Sequence, residues 1–311
     1  MRNAFAAEIT EIAKQDKRIV LLSGDIGNRL FNPYRALMPE RFYNCGISEG
    51  NMTGVAAGLA IAGMKPVTYT ITPFNTSRCF EQIKIDVCYQ ALPVIIVGTG
   101  SGLSYANLGP THHSFEDIAI LRTLPNMTVI CPADQAEVRL ALRAAIGHKG
   151  PVYIRLGKKN EPVIHRENPE FSIGRAITVR EGHDCALLST GNMLPVAAGA
   201  AELLSLKGVD AQVVSFHTVK PLDEQLLNHV FRTRRLVVTI EEHGLAGGFG
   251  GAVAEWLADN ASHHTCPLMR AGIIDRFIHG TGGQAHVRES LGLTPHALST
   301  KILKKLETVD R

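Results

Sequence analysis

No apolar run in these 311 residues approaches the ~20 residues a membrane-spanning helix needs, the stretch Leu92-Pro-Val-Ile-Ile-Val97 being typical of the longest. Charge of one sign is not in excess either: 32 Lys plus Arg stand against 29 Asp plus Glu, a net charge of +3. There is no block of like charges, which argues against a nucleic-acid binder working by backbone neutralisation. The six cysteines (45, 79, 88, 131, 185, 266) include no C-x-x-C. Reduced thiols are therefore expected rather than a zinc site or a disulfide framework. The start, Met1-Arg-Asn-Ala-Phe-Ala-Ala-Glu-Ile, carries an acid and a helical period (Phe5, Ile9, Ile12) where a signal peptide would be continuously apolar. A soluble, cytoplasmic protein with no membrane or nucleic-acid partner is the expectation. Two glycine clusters fall short of a nucleotide fingerprint. Gly98-Thr-Gly-Ser-Gly102 is followed by Leu103, Gly248-Phe-Gly250 has Val253 at the third position, and no phosphate-binding G-x-x-x-x-G-K-S/T occurs. Tight turns and close helix packing account for both clusters.

What is present is an alternation of short apolar runs with helical patterns. Arg18–Leu22, Lys65–Thr70, Pro93–Val97, Met127–Cys131 and Pro151–Leu156 read as buried strands, and Ser48 onward, Ser77–Tyr89 and Asp134–Ile146 as helices. A polar stretch with two prolines interrupts the pattern, after which strands are expected at 184–189, 211–216 and 235–241. The fold class is α/β: two doubly wound domains, a parallel-sheet domain over 1–160, a linker over 161–172 and a smaller α/β domain over 173–311.

Three segments carry candidate chemistry. Glu49 opens an otherwise small and apolar helix and has no basic neighbour in sequence. If buried, such a carboxyl costs free energy unless it is neutral or hydrogen-bonded; the alternative is an exposed first-turn Glu favoured by the helix dipole. Phe74 lies in a polar turn ahead of a helix, placed for ring stacking or as a core plug. Gly109-Pro-Thr-His112-His113 puts two histidines in a loop, of which one is expected to serve proton transfer or substrate contact. His217, His263 and His264 read as packing or surface residues.

In order, these segments resemble the C-terminal half of transketolase. The family block G-I-x-E-x-x-M-x-x-x-A-x-G-L is matched by Gly46 to Leu59, the aromatic before a helix by Phe74, G-P-T-H by Gly109 to His112, and L-R-x-x-P-N-M by Leu121 to Met127. The resemblance implies a thiamine-pyrimidine-binding domain followed by a transketolase C-terminal-type domain, with thiamine diphosphate as cofactor. The carboxyl matching Glu49 would hydrogen-bond the aminopyrimidine and promote its imino tautomer, and Phe74 would stack on that ring. Asp25 and Ile26, matching a family S-A-D-L segment, would lie near the cofactor. His112 would contact substrate oxygens and move protons.

The family's G-D-G motif, which holds magnesium and the diphosphate, has no counterpart, since the sole Gly-Asp pair, Gly24-Asp25, is followed by Ile26. The resemblance therefore implies the B subunit of a split transketolase. A companion polypeptide, the A subunit, would supply the diphosphate domain and hold Mg2+, most simply in an α2β2 heterotetramer. In the substrate channel, Leu108 stands where the family has Asp, Gly100 falls where it has a phosphate-binding His, and Lys158 aligns with its phosphate-binding Arg. Losing a charged acceptor at 108 points to a non-standard donor such as apulose 4-phosphate or a sulfonated ketose, with Lys158, alone or with Lys159 or Arg29, holding the anion. The competing readings are a 1-deoxyxylulose-5-phosphate synthase-like fragment, a 2-oxo-acid decarboxylase β subunit, and a non-catalytic regulatory subunit.

Overall fold

Runs buried along their whole length become the inner strands of a parallel sheet, because helices cover both faces. The computed structural model describes residues 1–27, 29–158, 161–261, 266–279 and 282–309; Lys159, His263 and His264 lie outside this set. Strands are β1 (Ile19–Ser23), β2 (Phe42–Asn44), β3 (Lys65–Ile71), β4 (Ile95–Thr99), β5 (Thr128–Ile130), β6 (Val152–Leu156), β7 (Ile177–Arg180), β8 (Cys185–Ser189), β9 (Ala211–Ser215), β10 (Thr218–Lys220), β11 (Leu236–Gly244) and β12 (Leu268–Ile273). Among the described residues they form a seven-stranded sheet, β10-β5-β6-β4-β3-β1-β2, and a five-stranded one, β12-β11-β8-β9-β7. All pairs are parallel except two at sheet edges, β10 with β5 and β7 with β9. The expected two-sheet α/β architecture is the observed one.

The strand β10 lies in the second half of the chain yet closes the edge of the first sheet, through the register Thr218↔Ile130. One apolar core accordingly runs through both halves, joining Ile118, Leu121 and Val129 to Leu188, Phe216 and Trp256. The stretch 161–172 is pinned rather than loose, since Asp134 accepts from the backbone N–H of Ile164 and of His165 at 2.9 Å each. His217 packs on it, its ring 4.0 Å from that of Phe171. Among the described residues no helix is long and apolar enough to cross a membrane.

The parallel order fixes where a site can form. From β1 the chain steps outward to β2, then returns to the other side of β1 with β3, so neighbouring connections diverge and open a crevice at the carboxyl ends of these strands. Pairing Ser23 with Asn44 and Tyr69, and Thr99 with Ile71 and Leu156, brings the ends of β1, β2, β3, β4 and β6 to one edge.

Candidate active site

Each candidate side chain leaves from one of those strand ends. After β2, Gly46 turns the chain at φ +67°, and the helix Glu49–Ile61 begins. Glu49 is the first residue of that helix, only 4 % exposed, which removes the alternative of a solvated first-turn acid. Glu49 has no basic neighbour along the chain, but the fold supplies one from a distance. Arg78, 29 residues on, donates Nη1–H to Glu49 Oε2 at 2.9 Å. No periodicity could have paired them; the β3–helix connection does so.

Phe74 sits in the short helical turn Thr72–Asn75 that follows β3. Its ring carries the Arg78 guanidinium, with Cζ 4.1 Å from the ring centroid, and meets the edge of His112 at 5.2 Å and 70°. A planar cation is thus held on an aromatic face and hydrogen-bonded to a buried carboxylate. A planar nitrogen heterocycle with an exocyclic amine needs those same two contacts, so the residues fit the aminopyrimidine of thiamine diphosphate.

The two histidines divide as adjacent residues must. His113 is buried, with Nε2 against the Ala106 carbonyl at 3.1 Å, and serves packing. His112 faces the crevice; burial, together with the nearby charges of His113 and Arg78, lowers its pKa below the ordinary 6.5, so the imidazole is neutral at neutral pH. On its other side is Tyr105, at 5.9 Å and 66°. Nothing in the local sequence marks Tyr105 as part of a site. Its ring fills the space left by Gly100, where a Cβ would come within 1.9 Å of it, and its face carries the Lys158 ammonium 4.1 Å from the centroid. Phe74, His112, Tyr105 and Lys158 therefore form one continuous wall.

The remaining candidates lie further out. Leu108 is half exposed on the turn Ala106–Leu108 that leads to the histidine loop. Asp25 receives the Asn44 amide at 3.1 Å, and its own N–H donates to the Gly46 carbonyl, so it steadies the turn before Glu49. Ile26 packs against the core behind β1. Arg29 is exposed and lines a separate cleft of about 700 Å³ with Arg2, Thr10 and Gly27. That cleft does not include Glu49 or Phe74, but Arg2 acts on Tyr105, where burial pushes the phenol upward and the guanidinium opposes it.

The second half of the chain clamps the histidine loop. Glu242, fully buried, accepts from Leu103 N–H at 2.8 Å, Asn192 Nδ2 at 3.1 Å and Gln284 Nε2 at 2.9 Å, and from Arg288 Nε. Arg155 donates to the carbonyls of Ser114 and Glu242 at 3.1 and 3.0 Å. The glycine-rich turn before the helix Phe249–Asp259 is occupied by the chain itself: Glu241 accepts from Phe249 and Gly250 N–H, both at 2.7 Å. A phosphate-like cradle is present, and an internal carboxylate fills it.

Residues 1–163 match the model for the transketolase pyrimidine-binding domain, and 174–298 that for the transketolase C-terminal domain. The chain is 39 % identical over 295 residues to the 6-deoxy-6-sulfo-D-fructose transketolase subunit SqwH of Clostridium sp. (strain MSTE9), covering 94 % of this chain and 90 % of that one. It is 33 % identical over 282 residues to the B subunit of the apulose-4-phosphate transketolase of Phocaeicola vulgatus, covering 90 % and 89 %. A solved split-gene transketolase, described as an inactive beta4 tetramer, superposes with a TM-score of 0.88 at 35 % identity, over 100 % of this chain and 98 % of that one.

Proposed function

The chain belongs to the transketolase family, and from that premise we propose that it is the B subunit of a two-chain, thiamine-diphosphate-dependent transketolase. Its reaction moves a two-carbon ketol unit from an anionic, non-standard ketose to an aldose phosphate. The observation that carries this reading is the slot between buried Glu49 and the face of Phe74, already filled by a planar cation. Glu49 would hold a ring nitrogen of the aminopyrimidine through a hydrogen bond of its carboxyl group, and Phe74 would support the ring's face. When bound, thiamine diphosphate supplies the nucleophilic carbon and the electron sink for breaking and making the ketol carbon–carbon bond.

His112, neutral and at the edge of Phe74, accepts a proton from, or hydrogen-bonds, a substrate hydroxyl beside the reacting carbon. Lys158, held on Tyr105 at the far end of the wall, receives the terminal anion of the donor, while Arg29 lines the separate cleft. Leu108 offers no charged acceptor to a sugar hydroxyl, which disfavours the ordinary ketose phosphates. Relatives of near-equal length named for a sulfonated fructose and for apulose 4-phosphate support such a donor.

The diphosphate and Mg2+ are left to a partner polypeptide bearing G-D-G, the A subunit, in an α2β2 assembly within the cytoplasm. The exposed apolar side chains Ile47, Val55, Ile61, Ile85 and Tyr89, on and beside the helix Glu49–Ile61, give that partner a surface to cover. The test is reconstitution with the G-D-G partner and a kcat/KM comparison among 6-deoxy-6-sulfofructose, apulose 4-phosphate, xylulose 5-phosphate and pyruvate. Preference for either unusual ketose supports the reading. Preference for xylulose 5-phosphate removes the substrate assignment, and preference for pyruvate replaces ketol transfer with synthase-type chemistry.

A further inference from the structure

Arg78 meets both requirements of the cofactor ring at once. Its guanidinium is planar, lies 4.1 Å above the Phe74 centroid, and donates to Glu49 Oε2 at 2.9 Å. At that separation no second ring can enter between the cation and Phe74, and one Glu49 carboxyl oxygen, Oε2, is taken. An aminopyrimidine and this side chain therefore compete for one place. Arg78 is able to yield it: the side chain is 44 % exposed, whereas Glu49 is 4 % exposed. The charged head can swing into water from its fixed backbone in the turn Ser77–Cys79 without repacking the core.

Resting on the cofactor assignment above, we propose that Arg78 is an internal stand-in for the pyrimidine ring, which holds the slot between Glu49 and Phe74 and must leave as the cofactor enters. Arg78 is then a positioning residue with two states. In the closed state it keeps Glu49 paired and Phe74 covered, so that the buried acid is never left without a hydrogen bond. In the open state it releases both to the incoming ring. Because only the open fraction binds, the apparent dissociation constant equals the intrinsic one divided by that fraction. A half-exposed ion pair reinforced by a cation–π contact favours the closed state by about tenfold, and cofactor affinity is reduced by about the same factor. The stand-in also selects what replaces it. A ring that offers the Glu49 carboxyl no ring nitrogen cannot replace the hydrogen bond that Arg78 gives up.

The experiment is calorimetric titration of thiamine diphosphate with Mg2+ into the reconstituted two-subunit complex, comparing the parent with Arg78→Met and Arg78→Lys. Met keeps apolar contact with Phe74 but neither charge nor fork, and is expected to tighten binding by about five- to tenfold. Lys keeps the charge without the planar fork and should fall between Met and the parent. Guanidinium chloride in the low-millimolar range should weaken binding to an Arg78→Ala complex, relative to sodium chloride at equal ionic strength, and leave the parent unaffected. Unchanged or weaker binding by Arg78→Met, or no selective guanidinium competition in Arg78→Ala, overturns the proposal while leaving the cofactor assignment standing. A parent complex that binds no thiamine diphosphate overturns both.

Discussion

Arg155 and Asp117, 2 % and 1 % exposed, meet in a two-point contact of 2.7 and 3.2 Å where the histidine loop joins the second sheet. Burial alone would raise the Asp117 carboxyl, yet the charge of Arg155, with hydrogen bonds from Arg155 and Ser114, outweighs it and lowers the group. Arg155→Met should cost about 3–5 kcal/mol, because it strands a buried carboxylate. The double variant Arg155→Met/Asp117→Leu should recover part of that loss. Urea denaturation of the assembled enzyme measures both, and a double variant no better than the single would contradict the pairing.

Glu241 and His243 impose opposing pH dependences on stability. Burial lifts Glu241 from 4.5 to about 7, against two backbone N–H donors, so between those values the folded chain holds a proton that the unfolded chain has lost, and stability falls as pH rises. Burial lowers His243 from 6.5 to about 4, so across that window the unfolded chain holds the extra proton and stability rises with pH. Each group is worth up to roughly 3 kcal/mol, and over their shared range they nearly cancel. Relative to the parent, Glu241→Gln should therefore gain stability as pH rises from 4.5 to about 7; a profile parallel to the parent's would refute this.

His112→Asn should lower kcat by about a hundredfold or more, with cofactor binding retained. Since the imidazole titrates below 6.5, the acid limb of the parent's rate profile lies below that value, and activity is lost as pH falls through it. Removing the Arg78 charge relieves one cause of that depression. The His112 titration followed by NMR should then move upward in Arg78→Met, and no movement would show that the two side chains do not share a site.

Lys158→Met should raise KM for a sulfonated or phosphorylated ketose by about ten- to a hundredfold, the equivalent of roughly 1.5–3 kcal/mol for a hydrogen bond to a charged group. Erythrulose, which carries no anion, should be unaffected. Tyr105→Leu should show the same selectivity more weakly, since it removes the ring that orients the ammonium. Equal losses for both donors would place Lys158 outside the anion subsite.

Glu49→Ala should abolish ketol transfer while gel filtration still shows the assembled complex. Retained activity would exclude the carboxylate from the chemistry.

The inner strands of both sheets are legible in the sequence because each is a short apolar run buried on two faces, and such a run records its own environment. The helix Gln135–Gly147 is legible for a comparable reason: Asp134 caps it through Ala136 and Glu137 N–H, a local signal. The short edge strands β2, β7 and β10 are not, since their few residues carry no period. Glu49, Phe74 and His112 stand out as chemistry-bearing residues in unusual local settings, whereas Arg78 and Tyr105 do not, since an Arg or a Tyr in a polar segment is ordinary.

The amino-acid order by itself determined the alternation of elements, the absence of G-D-G and the motifs that mark the family, because each is a property of neighbours along the chain. The pairing of Glu49 with Arg78, the seating of Lys158 on Tyr105 across Gly100, and the filling of a glycine-rich turn by Glu241 were decided only by the fold. Those contacts depend on which strand ends the sheet register sets side by side, and register is a long-range outcome of packing that no local spacing encodes.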